Sequence, residues 1–160
     1  MKIAVADDDD QCRKQVTEYL HTYAQDTKQV MEVEAYSLGI NFASEYRADC
    51  DVIFLDVEMP RMDGISVAKK IREVDQNVPI IFLTSYSQYA INGYEVNALD
   101  YVMKPLTYFV FEMKLKKALK FVQHRGGEDV VYLGEIQLPI SRPKRKEFMD
   151  RYIHFLSEGG

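Results

Sequence analysis

The sequence predicts an α/β fold: a doubly wound, five-stranded parallel sheet carrying helices on both faces, with a short C-terminal appendage. Three observations carry that expectation. Apolar residues alternate between strand-like and helix-like spacing five times in succession, the pattern of repeated strand–helix units joined by right-handed crossovers. Two short runs, "VIFL" at 52–55 and "IIFL" at 80–83, are apolar without interruption, as strands covered on both faces must be. Polar side chains follow directly on four of the strand-like runs, where an open parallel sheet places its ligands.

Each element follows in order. "KIAVA" reads as the first strand. Residues 10–24 carry Val16, Leu20 and Tyr23 at helical spacing, with Tyr19 and Ala24 widening the stripe. Four successive acids, Asp7 to Asp10, stand just before that helix and suit its positive end; Asp9 and Asp10 read as solvated capping acids. "MEVEAYS" alternates and reads as the second strand, "LGINFASEYR" as a short helix, "DVIFLD" as the third strand. "VEMPRMDG" is a loop marked by Pro60 and an Asp-Gly pair. "ISVAKKIREVD" is a helix with Ile65, Ala68 and Ile71 inward, and "VPIIFLTS" the fourth strand. "QYAINGYEVNA" (88–98) is a weak fourth helix that holds Gly93 and ends near Asn97. "LDYVMKP" is the fifth strand, stopped by Pro105. "TYFVFEMKLKKALKFVQH" is a long amphipathic fifth helix with Phe111, Leu115, Leu119 and Val122 on one side; its lysines suit a helix C-terminus. Of the two common doubly wound orders, five strands favour the flavodoxin-like 2-1-3-4-5.

The totals narrow the function classes. A chain of 160 residues fits one domain plus an appendage, here residues 1–124 and 125–160. The net charge of −5 argues against a chain that binds nucleic acid nonspecifically along its whole surface. Cys12 and Cys50 lack metal-ligand spacing, and the N-terminal apolar stretch is too short for a secretory signal, so free thiols in a reducing cytoplasm are expected. The longest apolar runs are strand-sized, far below the roughly 20 residues of a membrane span.

In the order 2-1-3-4-5 the first and third strands flank the point where the strand order reverses, so Asp7, Asp8 and Asp56 are expected to meet there. Three acids in one cleft favour a hard divalent cation with oxygen ligands, and Mg²⁺ (or Mn²⁺) fits. Without it, mutual repulsion should raise their affinity for protons. Asp56 then sits where a carboxylate could attack phosphorus to give an acyl phosphate. Lys104, from the fifth strand, can pair with one phosphoryl oxygen, and the Thr84 hydroxyl can hydrogen-bond another; Ser85 beside it is small and leaves room.

Over residues 1–124 the chain resembles the receiver domain of two-component response regulators. The residues that carry the resemblance are "ADD" with Asp7 and Asp8, "FLDVEMPRMDG" with Asp56, Pro60 and Gly64, "FLTS" with Thr84, and "ALDYVMKP" with Tyr101, Lys104 and Pro105. It implies that Asp56 accepts a phosphoryl group from a phosphohistidine on a sensor histidine kinase. It implies that Asp8, Asp56 and the backbone carbonyl of Glu58 ligate Mg²⁺ while Asp7 holds an outer-shell water, and that Thr84 and Tyr101 form a switch pair. The chemistry is then confined to the chain's own phosphorylation and dephosphorylation, and the output is association, with a second copy, through the face of the fourth helix, fifth strand and fifth helix.

"TSYSQYAINGYEVNALDYVMKP" and "QLPISRPKRKEFMDRYIHFL" further resemble regulators with a LytTR-type DNA-binding module. The stretch after the fifth helix holds two short alternating pieces and a charged helix, and most of such a module is expected to be missing. The cluster Arg142, Lys144, Arg145, Lys146 and Arg151 is offset by Glu147 and Asp150 and brings no base-reading element, so sequence-specific DNA binding by this chain alone is not expected. The alternative is an aspartate-nucleophile phosphohydrolase of the haloacid dehalogenase type. That family places an Asp two residues after the nucleophile near the chain start; here Glu58 holds the place and the nucleophile candidate is on the third strand.

Overall fold

The structure, a computed structural model, describes the backbone of residues 1–86, 93–125, 129–133 and 136–140, and the side chains of 1–86 and 93–122. Contacts divide the chain into two compact units, Met1–Ala118 and Leu119–Gly160. The elements run β1 (Lys2–Ala6), α1 (Asp10–Thr27), β2 (Glu32–Tyr36), α2 (Gly39–Glu45), β3 (Val52–Asp56), α3 (Gly64–Val74), β4 (Ile80–Thr84), a 3₁₀ turn (Gly93–Val96), β5 (Asp100–Met103) and α4 (Tyr108–Arg125), the fifth helix of the sequence pattern. Two short strands follow, β6 (Asp129–Leu133) and β7 (Ile136–Ile140), paired antiparallel as a separate hairpin. The charged helix and the basic cluster expected beyond them lie outside the described residues, as do residues 88–92 of the expected fourth helix.

The main sheet has the order β2-β1-β3-β4-β5, and all four pairings are parallel. β3 and β4 are buried at every position. Side chains alternate across the sheet. Ala4, Ile53, Leu55, Ile80 and Phe82 share one cluster with Phe42 of α2 and Val67, Ala68 and Ile71 of α3. On the other face Ile3, Val5, Ile81 and Leu83 are fully buried, and Phe54 stacks on Phe111 of α4 with ring centroids 4.9 Å apart. Cys12, Val16, Leu20 and Tyr23 form the buried stripe of α1. On α3 Gly64, Val67, Ala68 and Ile71 are buried, while Ile65, expected inward, is only partly covered: 64, 67, 68 and 71 recur at the helical period, and 65 falls at the margin of that stripe. Strand β2 is an edge, with Glu32 exposed and Glu34 paired to Lys2 at 3.0 Å.

Two details set the geometry near the carboxyl ends of the strands. Asp63 caps α3 by accepting the Ser66 N–H at 2.8 Å. Gly64 lies so close to the end of β3 that a Cβ there would collide with the Asp56 carbonyl oxygen, and its N–H donates to the Val57 carbonyl at 2.8 Å. On the far side, Arg72 of α3 donates to the carbonyls of Val96, Asn97 and Val78 at 2.7, 3.1 and 2.8 Å. It so anchors the 3₁₀ turn, which is followed at Asn97 by a left-handed φ of 52°. No helix among the described residues is long and apolar enough to cross a membrane.

Candidate functional site

The strand ends gather the acids. Asp7 and Asp8 follow β1, Asp56 ends β3, and one carboxylate oxygen of each lies within 4.8 Å of the others. Asp7 is wholly buried and Asp56 nearly so, while Asp8 is exposed at the mouth. Lys104, just past β5, joins them: its Nζ lies 2.9 Å from Asp7 Oδ2 and 3.3 Å from Asp56 Oδ1. The Asp56 contact is a hydrogen bond; the Asp7 contact is an ion pair without hydrogen-bond alignment, so Asp7 Oδ2 is a buried oxygen that accepts no hydrogen bond. Asp7 Oδ1 accepts the Asp9 N–H at 2.9 Å.

Burial and like charge act together here. Asp56 is pushed up to about 7, first by burial and then by the Asp7 charge, against the pull of Lys104. Repulsion between the acids is thus present, but loss of water is the larger cause. Burial works against the Lys104 charge, yet contact with Asp7 prevails and holds its pKa above the usual lysine range. The Cys12 thiol, buried on α1 beside Asp7, is pushed up by burial and then by Asp7. Three clustered carboxylates, two of them buried, suit a hard divalent cation.

The remaining expected residues fall in different places. Thr84 ends β4 and is buried; its hydroxyl donates to the Tyr86 carbonyl at 3.2 Å and accepts the Tyr86 N–H at 3.0 Å. Tyr101 on β5 is 37 % exposed, with the Lys114 ammonium 5.9 Å from its ring centre. The ring lies at the surface, lining one hollow with Met103, Pro105 and Lys114. Glu58 is exposed on the loop after β3 and, with Asp8, lines a cleft of about 790 Å³ that Met59, Pro60, Lys69 and Glu95 also line.

Two assignments change and one residue is added. Asp9 caps α1, its Oδ1 accepting the Gln11 N–H at 2.9 Å, but Asp10 is not a free capping acid: it pairs with Arg13 at 2.6 Å and Lys14 at 2.9 Å. Lys114 and Lys117, expected to serve the end of the last helix, both reach Asp100 at 2.9 Å and hold that carboxyl below its usual range against the effect of burial. Arg13 escaped notice. Its Nη1 donates to the Asp7 carbonyl at 2.7 Å, and the only signal for it was a base three residues after an acid in the first turn of a helix.

The comparisons agree with this geometry. The response regulator receiver domain family matches residues 3–119. The sensory transduction protein LytR of Streptococcus agalactiae is 29 % identical over 131 residues, 81 % of this chain and 52 % of that protein. The transcriptional regulatory protein BtsR of Escherichia coli is 32 % identical over 138 residues, 86 % of this chain and 54 % of that protein. The chain thus spans about half the length of these relatives. Among solved structures, response regulator protein TrrA from Thermotoga maritima in complex with Mg²⁺-BeF superposes with a TM-score of 0.63 at 28 % identity, covering 73 % of this chain and 97 % of that one. With the acids at the carboxyl ends of β1 and β3 and the sheet order 2-1-3-4-5 already in place, the match over residues 3–119 makes the chain a member of the response regulator receiver domain family.

Proposed function

We propose that the chain is a phosphorylation-controlled switch in which Asp56 accepts a phosphoryl group from the phosphohistidine of a sensor histidine kinase. The observation that carries this reading is the meeting of Asp7, Asp8 and Asp56 with Lys104 at the carboxyl ends of β1, β3 and β5. In the transfer an Asp56 oxygen bonds to phosphorus, the N–P bond of the donor breaks, and its electron pair stays with the imidazole, which takes a proton. Asp8, Asp56 and the main-chain carbonyl of Glu58 would hold Mg²⁺ or Mn²⁺, with Asp7 acting through a water. When bound, that cation supplies charge neutralisation for the transferring group. Lys104, already at Asp56, is poised to follow the negative charge onto a phosphoryl oxygen.

Thr84 and Tyr101 form the readout in this reading. Phosphorylation adds about −1.5 to −2 of charge at Asp56, and the Thr84 hydroxyl exchanges its Tyr86 partners for a phosphoryl oxygen. Tyr101 then leaves its surface position. The surface of residues 93–98, β5 and α4 changes with it and pairs with a second copy, so controlling signalling or transcription. The chemistry serves only the chain's own phosphorylation and dephosphorylation, with cytoplasmic residence in keeping with two unpaired cysteines. Residues 1–124 serve as the receiver and 125–160 as an appendage.

Intact mass after incubation with acetyl phosphate and Mg²⁺ tests the central step. One added phosphoryl group on the unaltered chain and none on Asp56→Asn supports it; equal uptake by both overturns it.

A further inference from the structure

We propose that Arg13 is a positioning residue for the cation site: by gripping the Asp7 carbonyl it sets the direction in which Asp8 presents its carboxylate. This inference rests on the divalent-cation reading above. Asp8 is the exposed acid of the cluster and stands on the turn between β1 and α1, so the path of the main chain through 7–9 determines where its side chain goes. The Asp7–Asp8 peptide unit is planar, and fixing its carbonyl fixes the nitrogen and Cα of Asp8 with it. Asp7 N–H donates to the Tyr36 carbonyl at 3.1 Å, which ties the entry to the turn to β2. Asp9 Oδ1 holds the Gln11 N–H, which ties the exit to α1. The Asp7–Asp8 unit between these ties is held by Arg13 Nη1 at 2.7 Å.

The guanidinium is itself held. Nη2 meets Asp10 Oδ1 at 2.6 Å, and the side chain is only 18 % exposed. A planar, two-armed donor with both arms engaged transmits orientation rather than bulk charge. Lys14 pairs with the same Asp10 at 2.9 Å but is 73 % exposed. The two cations therefore separate the two ways a base can act on a neighbouring metal site. A positive charge near the acids repels a divalent cation, so losing it tightens binding; losing a support for a ligand loosens binding, by roughly 10-fold for partners of this kind. The signs are opposite.

The test is Mn²⁺ binding at pH 7.5, read from the electron paramagnetic resonance signal of the free ion, on the unaltered chain, Arg13→Met, Arg13→Lys and Lys14→Met, with metal-free thermal midpoints recorded alongside. The expected result is binding about 10-fold weaker for Arg13→Met, an intermediate loss for Arg13→Lys, which keeps the charge but not the two-armed geometry, and unchanged or tighter binding for Lys14→Met. The proposal is overturned if Arg13→Met binds as tightly as the unaltered chain or tighter, if Arg13→Lys matches the unaltered chain, or if Lys14→Met weakens as much as Arg13→Met. Should Arg13→Met fail to fold, Arg13→Lys against Lys14→Met decides. Failure of the unaltered chain to bind Mn²⁺ at all strikes the cation site itself, and is thereby told apart from a failure confined to Arg13.

Discussion

Asp56 keeps its proton up to about pH 7 because its carboxylate has lost water and faces Asp7. Its folded pKa is raised above the ordinary 3.8, so the stability it contributes is full below that value and lost as the pH rises through about 7. Urea midpoints in EDTA should therefore carry a component that falls from pH 5 to pH 8, and Asp56→Asn should remove that component. A divalent cation binds the carboxylate form, so its affinity should rise over the same interval. Lys104 makes a second prediction. Lys104→Met removes the cation that touches Asp56, and phosphoryl uptake from acetyl phosphate should slow by about 10²-fold, seen in the time course of the mass shift. These residues were legible because carboxylate, hydroxyl and ammonium groups stood at strand ends that hydropathy alone located. Arg13 was not, because its partner is a main-chain carbonyl, a group that every residue carries and none advertises. Asp10 was misjudged for a related reason: spacing allowed both a cap and an ion pair, and only the folded first turn chose between them.

Among the elements, α3 bears most directly on the site. Its N-terminus rests on the end of β3, and the contact is possible because position 64 has no side chain. Gly64→Ala should cost about 1–3 kcal/mol through overpacking and also slow phosphoryl uptake, since the backbone that must move is that of Asp56. Asp63→Ala, which removes only the cap, should cost about 0.5–2 kcal/mol and leave uptake closer to normal. Urea unfolding and the mass time course together separate the two. Strands β3 and β4 were legible as continuous apolar runs because the sheet covers both of their faces. The segment ending at Asn97 was less so. Periodicity suggested a helix, but its described part is a single 3₁₀ turn whose last carbonyls are drawn to Arg72, a tertiary contact with no local signature.

For the whole molecule, the acid cluster links ligand binding to folding. A cation that binds only the folded form adds about 2.7 kcal/mol of stability at 100 times its dissociation constant. Thermal unfolding of the unaltered chain should therefore shift upward with Mg²⁺, and Asp8→Ala should lose most of that shift while keeping its metal-free midpoint. The strand order was legible because five strand–helix units leave few unknotted arrangements, and the parallel register followed from the crossovers. The margin along β2 has a consequence of its own. Its unpaired backbone groups offer a template to any other extended chain, but Glu32 stands exposed on that rim as a negative charge, beside Glu34, whose charge Lys2 offsets. A second molecule approaching rim to rim would bring the same acids face to face, so stitching of sheets into fibres is discouraged there and copies are left to meet elsewhere on their surfaces.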